Sequence, residues 1–433
     1  MAMDGKELVE KLAKLSQVQS IKDIPQLTHA LFPGTHCPLM GAAMAVGGIK
    51  DSLIVVVGTD ECTYYTKSMT IHSEKFGGID GRCVSVVLDD HDVTFGSAEK
   101  VQEAFKEIIE EYRPQCVFLV TTCVIEIIGD DFDAISEGLS ELYGIPVLPV
   151  HTEHFKCEDH LPGLERTITV CAEMMKSCDC ENSVNLLGQR MGDFATTELY
   201  AMLQKAGVKI GLQLPCGCSV DDIKNAAAAK VNIVVNDIAL PLAQKMQEKF
   251  GIPYVYFNKF VIPEKIYEAY KNLFGYLELE LPGELEGLYQ NAREKIEKNK
   301  GELEGITYIY GNTPYAVFEM NCFLSSLGMV PQVIQTNRYT EADEPYAKEI
   351  LQYTDPYVCK AANIAPLQYV YDVLSPYLYL GHEFGNRLRQ KGIAIVDSDR
   401  ASGMLGFEVT GYLLQQLVKS VREAKEYRKE LGL

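Results

Sequence analysis

The chain has 433 residues, enough at about 150 per domain for roughly three domains with sizeable cores. Its 40 Lys and Arg stand against 60 Asp and Glu, a net charge of −20 with no basic cluster. That balance excludes nucleic acid and anionic membrane as expected partners, since both reward positive surface. Apolar runs such as Leu53 to Val57 are too short to span a bilayer. Met1 to Ser16, with Leu8, Leu12 and Leu15 on one side, reads as an amphipathic helix and not as a signal peptide. A soluble, cytoplasmic protein is expected.

Short apolar runs then alternate with amphipathic stretches. Ser52 to Val57, Val84 to Leu88, Cys116 to Val120 and Val147 to Val150 read as strands. Over Ser97 to Tyr112, Val101, Phe105, Ile108, Ile109 and Tyr112 recur at helical spacing among Glu and Lys. A second set follows: Val184 to Leu187, Val208 to Leu212, Val231 to Val235 and Tyr254 to Phe257. The polar segment Pro282 to Gly305 reads as a helix joining two domains. Ile306 to Tyr310, Val330 to Gln335, Tyr377 to Leu380 and Ile393 to Val396 form a third set, closed by a helix from Phe407 to Arg428. Apolar strands alternating with helices imply parallel sheets covered on both faces. The expected fold is α/β, with three Rossmann-like, doubly wound parallel-sheet domains around a central cleft. The domains run 1–182, 183–303 and 304–433. Without a long linker they should pack together, and clefts between such domains are where ligands lie.

Thirteen cysteines without a secretion signal argue against disulfides, because the cytosol keeps thiols reduced. Cys83, Cys116, Cys171, Cys322 and Cys359 lie inside helical or strand patterns and read as small buried apolar residues. Three others stand in loops: Cys37 in Pro33-Gly-Thr-His-Cys-Pro-Leu-Met-Gly41, Cys62 in Gly58-Thr-Asp-Glu-Cys-Thr-Tyr-Tyr65, and Cys123 in Thr121-Thr-Cys-Val-Ile-Glu. Cys62 and Cys123 each follow a strand, and loops after parallel strands gather at the carboxyl edge, where ligands bind. Cys37, just before the small-residue helix start Gly41-Ala-Ala, can join them. Thiols at helix N-termini have lowered pKa values and suit soft metals, above all iron–sulfur clusters. Three ligands are one short of the usual four of a cubane cluster. Another side chain or a second subunit could complete the set. Spacing alone leaves open three unrelated structural thiols, since no local CxxC pair is present.

These three segments, in this order and spacing, resemble the component 1 proteins of the nitrogenase superfamily. That group includes the nitrogenase α and β subunits, their cofactor-assembly scaffold paralogues, and nitrogenase-like reductases such as dark-operative protochlorophyllide reductase. The stretch Thr121-Thr-Cys-Val-Ile-Glu-Ile-Ile-Gly-Asp-Asp-Phe132 carries the resemblance, followed by Gly144-Ile-Pro-Val-Leu-Pro-Val-His-Thr-Glu-His-Phe155. Phe95-Gly-Ser-Ala-Glu-Lys100 and Glu248-Lys-Phe-Gly-Ile-Pro253 extend it over nearly the whole chain. The resemblance implies that Cys37, Cys62 and Cys123 hold an iron–sulfur cluster, [4Fe-4S] or P-cluster-like, at the interface of two subunits. The assembly would be a homodimer or a heteromer with a paralogous component 1 subunit. The resemblance also implies an ATP-dependent iron protein as electron donor. The chain itself has no GxxxxGK[ST] loop and is not expected to hydrolyse ATP.

The sequence departs from the nitrogenase α subunit at that subunit's two cofactor ligands. Val234-Val-Asn236 stands where the resemblance places a cysteine, and Ala401-Ser-Gly-Met404, with Ser402, stands where it places a histidine. Neither Val235 nor Ser402 can serve a soft metal, which argues against a dinitrogenase α subunit with the standard cofactor. A second metal cluster in the cavity would need other ligands. Cys157 and His160 in Phe155-Lys-Cys-Glu-Asp-His160 offer themselves, with Cys216 and Cys218 in Pro215-Cys-Gly-Cys-Ser219, where glycine lets the backbone bend. Buried packing thiols are the alternative for that last pair. Cys178 and Cys180 are expected in an exposed turn, and His151 and His154 follow a strand end. Asp130 and Asp131 are expected to cap the helix running to Leu142. The function expected is a reductase subunit that relays electrons through the interface cluster to a substrate in the interdomain cavity. A scaffold for cluster maturation, or a non-catalytic β-like subunit, is the alternative.

Overall fold

The structure is a computed structural model that describes residues 4–27, 36–71, 79, 81–157, 159–190, 192–258, 260–311, 313, 315–360 and 364–433. In chain order its strands begin with β1 (Ala13–Lys14), β2 (Ile49–Lys50), β3 (Ser52–Gly58), β4 (Cys83–Val87), β5 (Cys116–Thr121) and β6 (Val147–Val150). There follow β7 (Ser183–Gln189), β8 (Lys209–Pro215), β9 (Cys218–Ser219), β10 (Val231–Val234) and β11 (Tyr254–Tyr256). The last are β12 (Thr307–Tyr310), β13 (Val330–Gln335), β14 (Tyr357–Cys359), β15 (Leu378–Leu380) and β16 (Ala394–Val396).

These form three main sheets, ordered β4-β3-β5-β6, β11-β10-β7-β8 and β1-β14-β13-β12-β15-β16. All pairings are parallel except that of β1 with β14. Every residue of β3 and β5 is buried, as expected of strands covered by helices on both faces. Helix Ala98–Tyr112 supplies one such cover, turning Val101, Phe105 and Ile108 inward and its Glu and Lys outward. The connecting segment is indeed helical over Leu285–Leu303, and it packs along the last helix, Phe407–Leu431. The α/β reading therefore holds.

Two local readings need correction. The N-terminal helix is shorter than its leucine spacing suggests, Gly5–Glu10, started by Asp4 accepting the Lys6 N–H at 2.9 Å. The chain then forms β1, which lies antiparallel on β14 with Ala13 opposite Val358. Leu8 and Leu12 accordingly join a core with Tyr371 and Tyr379, and Leu15, Val18 and Ile24 join the main core of the third sheet. Residues 5–24 thus pack on the third sheet rather than the first. The paired aspartates also divide their work. Asp131 caps helix Phe132–Tyr143 by accepting the Ala134 N–H at 3.0 Å. Asp130 instead reaches across to Ser97, accepting its N–H at 2.7 Å and its hydroxyl at 2.6 Å.

The three layers meet through close backbone contacts. A two-stranded parallel pair links the first and second, with Ile49 of β2 opposite Cys218 of β9. Gly48 lies where a Cβ would sit 1.9 Å from the Pro215 carbonyl oxygen, so only glycine fits there. Gly192, after β7, similarly has no room for a Cβ against Gly403 of the third layer. The second layer thus meets the first beside Gly48 and the third beside Gly192.

Candidate functional site

The three loop cysteines sit at the carboxyl edge of the first sheet. Cys37 is the N-cap of helix Pro38–Gly47, whose proline at the first position is pre-set for the helix. Cys62 lies in the first turn of helix Asp60–Ile71, directly after β3, and accepts the Thr59 hydroxyl at 3.5 Å. Cys123 opens helix Cys123–Ile128, directly after β5. Because β3 and β5 are paired neighbours, the two helices start side by side. Gly58 makes the approach close: a Cβ there would fall 2.0 Å from the Thr122 hydroxyl oxygen.

All three thiols are unpaired and partly exposed. The Cys123 thiol is pushed up by burial first and then by the neighbouring Cys62, and the backbone amides of Val124 and Cys123 pull the other way. The lowered pKa expected from a helix N-terminus is outweighed at Cys123 by burial and sulfur–sulfur repulsion. Cys37 also bears on Cys123, which places the three sulfurs in one electrostatic neighbourhood. They do not, however, all lie within 4.8 Å of one another. A single tetrahedral ion, with metal–sulfur bonds of about 2.3 Å, needs sulfurs roughly 4 Å apart. The wider set suits a polynuclear cluster.

A carboxylate that the sequence reading passed over supports this edge. Glu126, three residues after Cys123, accepts the Thr121 hydroxyl at 2.7 Å, the Thr152 hydroxyl at 3.1 Å and the Glu153 N–H at 2.6 Å. It ties the end of β5 to the loop after β6. Glu126 falls on no apolar periodicity, and only its place one helical turn beyond Cys123 could have signalled it. Arg166 braces the same loop, donating to the Thr152 carbonyl at 2.6 Å and to the Glu153 carboxylate at 2.5 Å.

The second set of ligand candidates disperses. Cys157 lies 3.7 Å from Arg166 Nη1 and donates to the Thr152 carbonyl. His160 is the N-cap of helix Leu161–Val170, its pKa lowered to about 4 by burial and then by Arg190. Cys216 donates to the Arg190 carbonyl at 3.2 Å. Cys218 is buried in β9, pushed up to about 12 by its burial, and shares the core with Cys116 and Cys171. Gly217, at φ +86°, turns the chain between the two cysteines. Among the described residues no three of these four groups bring their ligand atoms within 4.8 Å.

The remaining residues fall as follows. Cys83, Cys116, Cys171, Cys322 and Cys359 are buried and Cys178 and Cys180 exposed, as read from the sequence. His151 pairs with Asp133 at 3.2 Å, and His154 stacks on Phe155 at the surface. Val235 and Ser402 are both buried. No described helix is long and apolar enough to cross a membrane.

Comparison with known proteins agrees with this architecture. A family model described as nitrogenase component 1 type oxidoreductase matches residues 37–422. The nitrogenase iron-molybdenum cofactor biosynthesis protein NifE of Clostridium pasteurianum is 31% identical over 224 residues, which cover 51% of this chain and 49% of that protein. The match thus spans about half of that relative's length. The NifE protein of Rippkaea orientalis is 24% identical over 331 residues, 73% of this chain and 69% of that one. The nitrogenase molybdenum-iron protein alpha chain of Methanosarcina barkeri is 24% identical over 330 residues, covering 72% and 62%. In three dimensions the chain is similar to a structure titled "Nitrogenase Cp1 at pH 6.5", with a TM-score of 0.78, 15% identity, and 93% and 95% of the two chains covered. That likeness carries the fold, and the family model carries the lineage. The chain belongs to the nitrogenase component 1 type oxidoreductase family.

Proposed function

We propose that the chain is a subunit of a nitrogenase-like reductase, in which Cys37, Cys62 and Cys123 hold an iron–sulfur cluster against a second component 1 subunit. The observation that carries this reading is the setting of the thiols. Three free, half-buried sulfurs lie on helix starts whose helices also expose large apolar side chains, Tyr64 (76% exposed) and Tyr65 (53%) beside Cys62 and Ile127 (72%) after Cys123. Apolar side chains clustered on an open face mark a surface that another chain covers. When bound, an iron–sulfur cluster supplies one-electron transfer. The chain's own part is to present three thiolates from helix first turns and to lower their charge cost with backbone amides. Its exposed apolar side chains on these helices would exclude water once a partner is seated.

Electrons would come from a separate ATP-dependent iron protein, and the substrate would occupy the central cleft. The units would divide near residues 182 and 304, with residues 5–24 attached to the third. A maturation scaffold is the second reading. It is favoured by Val235 and Ser402, which leave the cleft without fixed soft ligands there, and by the cofactor-biosynthesis names of the NifE relatives. Anaerobic iron and sulfide analysis, with electron paramagnetic resonance of the reduced protein, tests the cluster. A signal in the wild type that is lost with all three cysteines changed to alanine supports it; unchanged iron in that variant overturns it. Substrate turnover with the cluster retained separates a reductase from a scaffold, which hands its cluster on.

A further inference from the structure

The helices that carry Cys62 and Cys123 both start from a threonine, and the two threonines act differently. Thr59 directly precedes helix Asp60–Ile71, so Cys62 is the third residue of that helix. Side chains at the N-cap and at the third position face each other, which is why a glutamate or glutamine there can close a capping box. Here the third position is a cysteine, and the Thr59 hydroxyl donates to its sulfur at 3.5 Å. Thr122 is the N-cap of helix Cys123–Ile128. Its hydroxyl oxygen is buried without a hydrogen-bond partner, against Gly58 of β3. The donors that reach Cys123 are backbone amides, its own and that of Val124.

The helix that holds Thr59 and Cys62 together is fixed from its inner face. Thr63 and Thr66 are buried, and the Thr63 hydroxyl lies 2.9 Å from that of Ser85 on β4. Tyr64 and Tyr65 point outward. The start of the helix is therefore held by the chain to β3 and by Thr63 to β4. Thr59 and Cys62 are themselves only partly buried. Their bond lies at the open edge that a bound cluster would occupy, not in the packed interior.

A hydroxyl aimed at a metal-ligating sulfur has a defined effect. One electron added to an iron–sulfur cluster increases the negative charge on its sulfur ligands, and a hydrogen-bond donor favours that reduced state over the oxidised one. We propose that Thr59 is a positioning residue for the cluster, whose hydroxyl holds the Cys62 sulfur in place and raises the reduction potential. No proton moves: the hydrogen stays on the threonine oxygen in both oxidation states. This inference rests on the reading that Cys37, Cys62 and Cys123 hold the cluster, and it deepens that reading by making the ligands unequal. Cys62 is the ligand tuned by a side chain, whereas Cys123 is served by backbone amides that side-chain substitution leaves in place.

The full chain, reconstituted anaerobically with iron and sulfide as wild type, T59V and T59S, tests this. Valine keeps the shape of threonine and removes the donor, and serine keeps the donor. The midpoint potential, read by electron paramagnetic resonance during stepwise titration with dithionite, should move to more negative values in T59V. Iron content at saturation should match the wild type, and T59S should keep the wild-type midpoint. Competition with an iron chelator should show about a tenfold loss of iron affinity in T59V. If T59V does not fold, as circular dichroism would show, T59A takes its place against T59S. An unmoved midpoint in the variant without the hydroxyl, carrying its full iron, would overturn the proposal. So would a T59S midpoint displaced as far as that of T59V, because packing and not the hydroxyl would then be the cause. Absence of iron from the wild type would bring down the thiol reading and this inference with it. A signal that the triple alanine variant loses and T59V keeps at the wild-type potential would overturn the role of Thr59 alone.

Discussion

The edge of the first sheet and the cleft between the second and third sheets gather opposite kinds of group. At the edge, soft sulfur atoms stand at helix starts, and the helices of Cys62 and Cys123 also expose Tyr64, Tyr65 and Ile127. Between the second and third sheets, one buried acid, Glu319, lies under the influence of Asp237 and Lys265. Soft donors favour iron–sulfur chemistry, whereas carboxylates favour hard cations and protons. One molecule with both has separated its candidate electron-handling groups from its candidate charge-handling groups, and the separation follows the layering of the fold. Cys123 and Glu319 each begin a helix, yet burial raises the pKa of both. What distinguishes them is their neighbours: two further thiols in one case, and Lys265 and Asp237 in the other.

The comparison can be broken most decisively at the edge. Changing Cys37, Cys62 and Cys123 to alanine together should abolish bound iron and subunit pairing, read by metal analysis and sedimentation, while the fold of the second and third sheets persists. The next effect belongs to the cleft. Glu319 is held near pH 7 against a usual 4.5, so the folded state keeps a proton that the unfolded chain has already lost. Stability should therefore fall as pH rises from about 4.5 to about 7 and stay level above, by about 3 kcal/mol. Urea melts at pH 5 and pH 7.5 check this, and E319Q should remove that share of the slope. Glu126→Ala should cost about 2 kcal/mol by leaving the Thr152 hydroxyl and the Glu153 amide unmet, and it should loosen iron at Cys123. Cys218→Ser should cost about 1–3 kcal/mol by burying a hydroxyl among apolar neighbours, with iron unchanged. Asp131→Ala should cost about 1 kcal/mol, read by the same melts, and leave both regions working.

Much of this was legible in the sequence, and what was not has physical reasons. The runs of β3, β5 and β7 are long and apolar enough to identify themselves, and so is the stripe of Val101, Phe105 and Ile108. Loop cysteines separated from packing cysteines by their Gly, Pro and Thr neighbours. Cys218 kept two readings because Gly217 looks like a loop signal, whereas the residue after it enters a two-residue strand. Such strands, β1 and β9 included, have no periodicity to detect, and their pairing depends on partners far along the chain. Glu126 and Glu319 were passed over because a glutamate in a helix ordinarily faces water. The hydrogen bonds of Glu126 depend on the loop after β6 and the burial of Glu319 on packing beyond its own helix, which local sequence does not encode.

The two residues of β1 have a consequence for solubility. Strand β14 would otherwise form the border of the third sheet and offer its open backbone groups to any passing chain. With Ala13 and Lys14 laid along it, and the Lys14 ammonium 3.6 Å above the Tyr357 ring, that border is closed by the chain's own beginning. A truncation that removes the first twenty residues would leave both distant sites untouched and still expose a template for self-association.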